Sequence, residues 1–133
     1  DYVLIDSPAG LGPGFRLAVC GADRAIVVAV SDPSSLRDAQ RVVTQLSQLE
    51  TIHLVVNRVR PRLLRRQNTT IDDAMDTAGL PLLGLVPEDP KVVLAATEGR
   101  PLAQLGARRG AVRAYENIAR RLTGQPVPLM GLR

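Results

Sequence analysis

An aspartate that directly follows a run of apolar residues stands near the start of the sequence. The run is Tyr-Val-Leu-Ile (2–5), and it leads into Asp6. Four residues that favour a turn come next: Ser7, Pro8, Ala9 and Gly10. A carboxylate held at the end of a buried strand can orient Mg²⁺, through water, beside a bound phosphate. Gly10 gives the backbone freedom to approach that phosphate. An ordinary strand-to-turn aspartate is the alternative interpretation, and the turn sequence after it favours the functional one.

Polar residues also follow two later apolar runs. Asn57 and Arg58 come after one of them, and Pro87, Glu88 and Asp89 come after the other. Because ligands bind beyond the carboxyl ends of parallel strands, we expect these residues to lie together at a binding edge. An asparagine amide offers both a donor and an acceptor to adenine, although asparagine is also typical of turns. Asp89 precedes a proline and would cap a helix with or without a ligand, so we expect the backbone there to matter more than its side chain.

Short apolar runs alternate with helical patterns along the chain. We predict strands over 2–5, 25–30, 52–57 and 80–87, and helices over 14–20, 33–46, 70–79, 88–99 and 112–122. This alternation favours an α/β fold, in which helices cover both faces of a parallel sheet. The first strand has no preceding crossover, and four strands are few for such a sheet. We therefore expect residues 1–133 to be the C-terminal portion of one domain, incomplete at the N-terminus and ending in an extended tail over 122–133. A small four-stranded domain is the alternative.

The composition excludes several classes of protein. Hydrophobic residues make up 45% of the 133 residues but aromatic residues only 2%, so the core must be aliphatic. Cys20 is the only cysteine, which excludes an internal disulfide and a metal site built on paired cysteines. No apolar run approaches the ~18 residues of a membrane-spanning helix, and the start of the sequence does not resemble a signal peptide. The net charge of +4 permits an anionic partner without requiring one.

Six segments spread along the chain resemble a known family. They are VLIDSPAG, GADRAIVV, SSLRDAQRV, LVVNRVRP, LLGLVPEDP and YENIARRLTG. Their order and approximate spacing are similar to those of the deviant-Walker ParA/MinD family of P-loop ATPases, and most of all to the branch that places the bacterial division septum. The resemblance covers essentially the whole chain, from the Walker B strand onward. It implies a Rossmann-like, three-layer P-loop NTPase fold.

The resemblance implies a role for each candidate residue. Asp6 would be the Walker B carboxylate, which holds Mg²⁺ through water, and residues 7–10 would form the switch loop that senses the γ-phosphate of ATP. Asn57 would hydrogen-bond the adenine edge, with Arg58 beside it in the nucleotide site. The chain from Pro87 to Asp89 would flank the base and ribose. The implied cofactors are ATP and Mg²⁺.

For the full-length protein, the resemblance implies an ATP-driven homodimer that attaches to the inner face of the cell membrane. It would recruit a division inhibitor, respond to an activator protein, and otherwise be cytoplasmic. Two features of the family are missing from this sequence: the KGGxGK[ST] phosphate loop with the first-switch aspartate, and the amphipathic membrane-binding helix at the C-terminus. We therefore expect that the chain alone neither binds ATP tightly, nor hydrolyses it, nor binds anionic vesicles.

One polar helix face is a candidate partner surface. Arg37, Asp38 and Arg41 lie on the helix that begins beside the proposed nucleotide site. In the family this helix lies near the surface that the activator and the inhibitor use, while the simpler interpretation is an ordinary amphipathic helix.

Other functions compete with a septum-placing ATPase. The basic stretch over 58–67 would suit a DNA-bound chromosome or plasmid segregation ATPase, although a solvated surface is the simpler interpretation and we do not expect DNA binding. A relative that controls flagellar number remains an alternative. An iron–sulfur carrier of the same fold would need paired cysteines. The last alternative is a non-catalytic interaction module.

Overall fold

Helices and strands alternate along the chain in the computed structural model, which describes residues 1–61, 71–105 and 109–129. The strands are β1 (Arg24–Val30), β2 (Thr51–Val59) and β3 (Leu82–Pro87). The helices are α1 (Pro13–Cys20), α2 (Pro33–Thr44), α3 (Ile71–Ala78), α4 (Pro90–Thr97) and α5 (Gly110–Leu122), with a 3-10 turn at Leu102–Leu105. Within these described ranges, no helix has the length and apolar character needed to cross a bilayer.

The strands form one parallel sheet in the order β1-β2-β3. Val30 of β1 pairs with Asn57 of β2, and Val59 of β2 pairs with Pro87 of β3. The carboxyl ends of all three strands therefore lie at the same edge of the sheet. The α/β fold with a parallel sheet, predicted from the alternation of elements, is confirmed.

The central strand β2 is buried on both faces. Leu54 and Val56 are completely buried in a cluster that also contains side chains of α1, α2 and α3. Val55 lies in a second cluster with Ala114 and Ile118 of α5. Successive side chains of a strand point to opposite faces, so helices cover β2 from both sides. A strand covered in this way reads as a continuous apolar run, which is how β2 appears in the sequence.

Coverage of the sheet is incomplete at β1. Val27 and Ala29 lie in the cluster formed with α1, α2 and α3. On the opposite face, Ile26 is 38% exposed and Val28 is 61% exposed. Helix α5 packs on β3, and it leaves these two apolar side chains of β1 in contact with solvent.

The predicted strand over residues 2–5 is wrong for this structure. Residues 1–8 have no regular secondary structure, and Val3 and Leu4 are each 86% exposed. An apolar run indicates a need for burial, but a strand also needs a neighbour for its backbone hydrogen bonds. Within the described residues, the sheet consists of three strands and none of them pairs with this segment. The sheet therefore has three strands where the sequence predicted four.

The remaining boundaries differ by a few residues. Strand β2 runs to Val59, so Asn57 and Arg58 lie within its span instead of after it. The tail has no regular structure over 125–129, as expected. The predicted helix start at Thr70 and most of the basic stretch, 62–67, lie outside the described residues, as does the end of the tail, 130–133.

Gly84 of β3 allows α5 to approach the sheet closely. A Cβ atom at this position would collide with the side chain of Ile118. We expect Gly84→Ala to lower the free energy of unfolding by about 1–3 kcal/mol, because overpacking displaces the helix. The measurement is urea denaturation. Gly21→Ala is the control, since its φ of −96° suits alanine and a Cβ there makes only ordinary contacts, the nearest at 3.5 Å from Ile5, and its effect should stay within about 0.5 kcal/mol. Equal losses for the two variants would contradict the packing argument.

Candidate functional site

The structure brings five of the candidate nucleotide-binding residues together at the carboxyl edge of the sheet. Asn57 and Arg58 lie near the end of β2, and Pro87, Glu88 and Asp89 lie at the end of β3 and just beyond it. The backbone N–H of Glu88 donates to the carbonyl of Val59 at 3.0 Å, which joins the two strand ends. This is the edge at which open parallel sheets bind ligands.

Asn57 and Arg58 form a distorted step in β2. Arg58 has a φ of +51°, and it is the only described residue other than glycine with a positive φ. The side-chain oxygen of Asn57 accepts the N–H of Arg58 at 2.9 Å. The pairing of β2 with β3 is irregular between Val56 and Val59. The left-handed conformation costs an arginine about 1–2 kcal/mol, and the bond from Asn57 satisfies the backbone donor that this step exposes.

The amide of Asn57 keeps its donors for a ligand. Its oxygen has a second lone pair beside the bond to Arg58, and both hydrogens of the NH₂ group remain. The structure gives those hydrogens no protein acceptor within the described residues. Asn57 is half-buried. The residue can therefore hold the backbone step and still present a donor and an acceptor to the edge of a base.

Glu88 joins the two strand ends through arginines. Its carboxylate accepts from Arg60 Nη2 at 2.6 Å, from Arg60 Nε, and from Arg58 Nη2 at 3.4 Å. The hydrogen bonds from Arg60 are the main cause that lowers the pKa of Glu88, and Arg58 lowers it further. The same contact raises the pKa of Arg60. The side chain of Glu88 is thus committed to protein partners, which leaves the backbone as its contribution to a ligand site.

Asp89 caps two helices with one carboxylate. Its Oδ1 accepts the N–H of Lys91 in α4 at 3.0 Å, and its Oδ2 accepts the N–H of Ala111 in α5 at 3.1 Å. Gly110 leaves room for this contact, because a Cβ there would collide with Oδ2. The predicted capping of α4 is confirmed. The second bond, across 22 residues of sequence, was not predicted.

Asp6 and residues 7–10 are not held at this edge by a strand. They lie in the exposed N-terminal segment, where the Ser7 hydroxyl donates to the carbonyl of Pro8 at 3.3 Å. Gly10 has a φ of +82° and lies in a bend over residues 9–12. Within the described residues, no group of three or more acidic, histidine or cysteine side chains is arranged to hold a metal ion. Asp6 by itself does not make a Mg²⁺ site, so we derive no metal-dependent step from this chain.

The predicted partner surface is an exposed face of α2. Asp32 caps this helix by accepting the N–H groups of Ser34 and Ser35 at 3.1 and 3.0 Å. Asp38 and Arg41 form a solvated ion pair at 3.3 Å, with more than two thirds of each side chain exposed. Arg37, in the same helix, is exposed as well. A pair of this kind contributes little to stability, so both side chains are available to a partner.

Arg60 is the residue of this edge that the sequence did not single out. It was included in a basic stretch interpreted mainly as solvated surface, and its partner Glu88 is 28 residues away. A run of arginines gives no sign of which member will meet a carboxylate. The pairing of Arg60 with Glu88 could have been predicted from the register of β2 against β3, but a single sequence does not give that register.

Comparison with known proteins shows what the chain resembles. No family model matches the sequence. The chain is 44% identical over 136 residues to the septum site-determining protein MinD of Bacillus subtilis, a match that covers 99% of this chain and 50% of that protein. The chain is similar to MinD proteins over nearly its whole length. It spans about half the length of the curated MinD relatives that it matches.

Solved MinD structures share the fold described above. The MinD cell division protein in the MinC:MinD complex of Aquifex aeolicus superimposes with a TM-score of 0.91 at 36% identity, over 98% of this chain and 55% of that one. MinD of Pyrococcus horikoshii, complexed with Mg-ADP, superimposes with a TM-score of 0.75 at 27% identity, over 88% of this chain and 48% of that one. Both likenesses confirm the P-loop NTPase type of fold for this chain.

The double cap by Asp89 can be measured through stability. We expect Asp89→Ala to lower the free energy of unfolding by about 2 kcal/mol, because each lost cap costs about 1 kcal/mol. Asp89→Asn keeps one acceptor oxygen and should lose about half of that amount. The matched control is Asp32→Ala, which removes the cap of a single helix and should cost about 1 kcal/mol. Urea denaturation of the three variants measures these losses in the free energy of unfolding and so compares them. Equal losses for Asp89→Ala and Asp32→Ala would contradict the double cap.

The link from Arg60 to Glu88 can be measured by titration. We expect carbon-13 NMR to give Glu88 a pKa below its usual 4.5. Arg60→Gln should raise that pKa towards 4.5, and Arg58→Gln should raise it less, because Arg60 is the larger cause. Since folding lowers this pKa, the stabilisation is present above pH 4.5 and is lost as the pH falls through the folded-state pKa. A Glu88 pKa that neither substitution changes would show that the link does not form in solution.

Proposed function

We propose that this chain is part of a MinD-type ATPase that positions the bacterial division septum. The observation that carries the proposal is the similarity to MinD along 99% of the chain. The arrangement at the carboxyl edge of β2 and β3 agrees with it, because these residues can hold a nucleotide base. In the whole protein, ATP-dependent dimerisation would control attachment to the membrane and recruitment of a division inhibitor.

Within this chain, the proposed activity is recognition of the base. The amide of Asn57 would donate to a ring nitrogen of adenine and accept from its exocyclic amine. The backbone from Pro87 to Asp89 would flank the base, since the side chains of Glu88 and Asp89 are engaged elsewhere. A MinD structure complexed with Mg-ADP supports nucleotide and Mg²⁺ as the cofactors. Bound ATP and Mg²⁺ would supply the phosphoryl chemistry, and this chain would orient the base.

We propose that the phosphate end of the site lies in another part of the whole protein. The sequence contains no Gly-rich loop followed by Lys-Ser or Lys-Thr, and without such a cradle a phosphate chain lacks its backbone donors. The exposed Val3, Leu4 and Val28 support this view, because they leave apolar surface for further polypeptide to cover. Once covered, residues 2–5 would join the sheet and hold Asp6 beside the phosphates.

The partner would be a division inhibitor of the MinC type. A relative of this chain is solved in a MinC:MinD complex, which supports the proposal. The exposed α2 face with Arg37, Asp38 and Arg41 is the surface we assign to that partner. The protein would be cytoplasmic, becoming peripheral at the membrane when it binds ATP.

Asn57 provides the sharpest test of base recognition. Asn57→Asp keeps the oxygen that accepts the N–H of Arg58, but it replaces the amide donor with a second acceptor. We expect the full-length protein carrying this change to lose about tenfold or more in affinity for ATP, the effect of roughly 1.4 kcal/mol in lost hydrogen bonding. Its relative preference for GTP should rise, because guanine offers donors where adenine offers an acceptor. Nucleotide titration of the purified protein measures both effects.

The controls separate the site from the fold. Asn57→Ala should weaken ATP and GTP binding together, and Gln48→Ala, in the turn before β2, should change neither. The 133-residue chain alone should release no phosphate from ATP above background. An unchanged ratio of ATP to GTP affinity in Asn57→Asp would contradict the assigned role. Phosphate release by the chain alone would contradict the proposed location of the phosphate loop.

A further inference from the structure

A second polar site lies along α5, from Arg113 near its start to Arg120 near its C-terminus. There the tail folds back along the helix and encloses a cavity of about 230 Å³ that is open to solvent. The lining residues are Arg113, Asn117, Arg120, Pro126, Val127, Pro128 and Leu129. The three from α5 are spaced by four and three residues, so they lie on one face of the helix. No carboxylate is among the described residues that line the cavity.

Asn117 is the unusual member of this group. It is only 8% exposed, and it is the one polar side chain in the described core. No described residue hydrogen-bonds its amide, and the amide atoms are not among the fully buried, unpartnered atoms, so they reach the open cavity that Asn117 lines. Buried polar groups are almost always satisfied. An amide that lines a cavity without a protein partner therefore points to a ligand or to water within that cavity.

The arginines that line the cavity form no ion pair within the described chain. Arg120 donates from Nε to the side-chain oxygen of Gln125 at 2.8 Å, which leaves its terminal nitrogens available. Arg113 is exposed, and within the described chain neither arginine has a carboxylate partner. Two guanidinium groups and the NH₂ group of Asn117 supply mostly donors, with the amide oxygen as the one side-chain acceptor among the three, which suits an anion with several acceptor oxygens.

Arg121 does not line the cavity but bonds Val127, which does. Its Nε donates to the carbonyl of Val127 at 2.8 Å, and its Nη1 donates to the carbonyl of Leu83 at 2.5 Å. Its Nη2 is buried and has no hydrogen-bond partner among the described residues. A buried and incompletely paired guanidinium is costly. An anion in the adjacent cavity would offset this charge, and the two bonds of Arg121 hold the tail that closes the cavity.

We propose that this cavity binds a phosphate group, with Arg113 and Arg120 contacting its oxygens and Asn117 donating from its amide. The two lining guanidinium groups, with Arg121 near them, favour a dianion over a monoanion such as a carboxylate. The site shares no residue with the proposed base site. It therefore does not depend on the proposed function.

Residue-resolved NMR tests the proposal on the protein. The probe is inorganic phosphate, added at constant ionic strength and at about pH 8, where a phosphate monoester with a second pKa of about 6 is a dianion. We expect saturable shifts of the Asn117 side-chain amide and of the Arg113 and Arg120 Nε–H signals. Glycerol 3-phosphate should bind similarly, and acetate should bind at least about tenfold more weakly. Because the readout belongs to named residues, phosphate bound elsewhere does not contribute.

The matched variants remove the same charge from two places. Arg113→Gln with Arg120→Gln should weaken phosphate binding at Asn117 by about tenfold or more. Arg16→Gln with Arg24→Gln removes two exposed arginines that do not line the cavity, and it should leave the affinity within about twofold. All four positions are exposed, so folding should be retained. No shift at Asn117, acetate binding as tight as phosphate, or equal weakening by both double variants would overturn the proposal.

Discussion

The carboxylate of Asp89 holds the N-termini of two helices at the edge of the sheet where the candidate base site lies. One oxygen starts α4 and the other fixes the start of α5. This contact fixes the first turn of α5 at that edge. The rest of the helix can then pack along β3 only where the strand leaves room for it. Gly84 provides that approach opposite Ile118. A side chain that resembles a ligand residue in the sequence thus acts first as a structural one.

The groups at this edge that can bind a ligand are those without a protein partner. Glu88 is engaged by Arg60 and Arg58, and Asp89 by two helix termini. The side-chain oxygen of Asn57 accepts one hydrogen bond from Arg58, and its amide donors have no partner among the described residues. A ligand competes poorly for groups that already have short, charge-assisted partners. The groups that remain to bind a base are therefore the amide of Asn57 and the backbone after Pro87. The other polar side chains among the five candidate residues are engaged within the protein.

The sequence predicted those parts of the fold that depend on local chemistry. Strands β1, β2 and β3 are aliphatic runs, and Asp32 and Asp89 each precede a proline at a helix start, so both caps were readable. Contacts between residues far apart in the sequence could not be predicted, because they depend on how distant elements pack. The examples are Glu88 with Arg60, Asp89 with Ala111, and Arg121 with Leu83. The strand predicted over 2–5 was wrong for a different reason. An apolar pattern indicates that these side chains need burial, but it does not show whether a neighbouring strand is present to pair with them.

The two candidate sites meet different parts of α5. Its 13 residues span about 20 Å, from the contact of Asp89 with Ala111 at the start to the bonds of Arg121 in the last turn. Arg120 lies near the far end, so substitutions at Arg120 and at Asn57, with no shared contacts, are expected to act independently. Arg113 lies only two residues after Ala111. If the two sites respond to each other, the connection should therefore run through the start of α5, because Asp89 holds it and Arg113 lines the cavity from it.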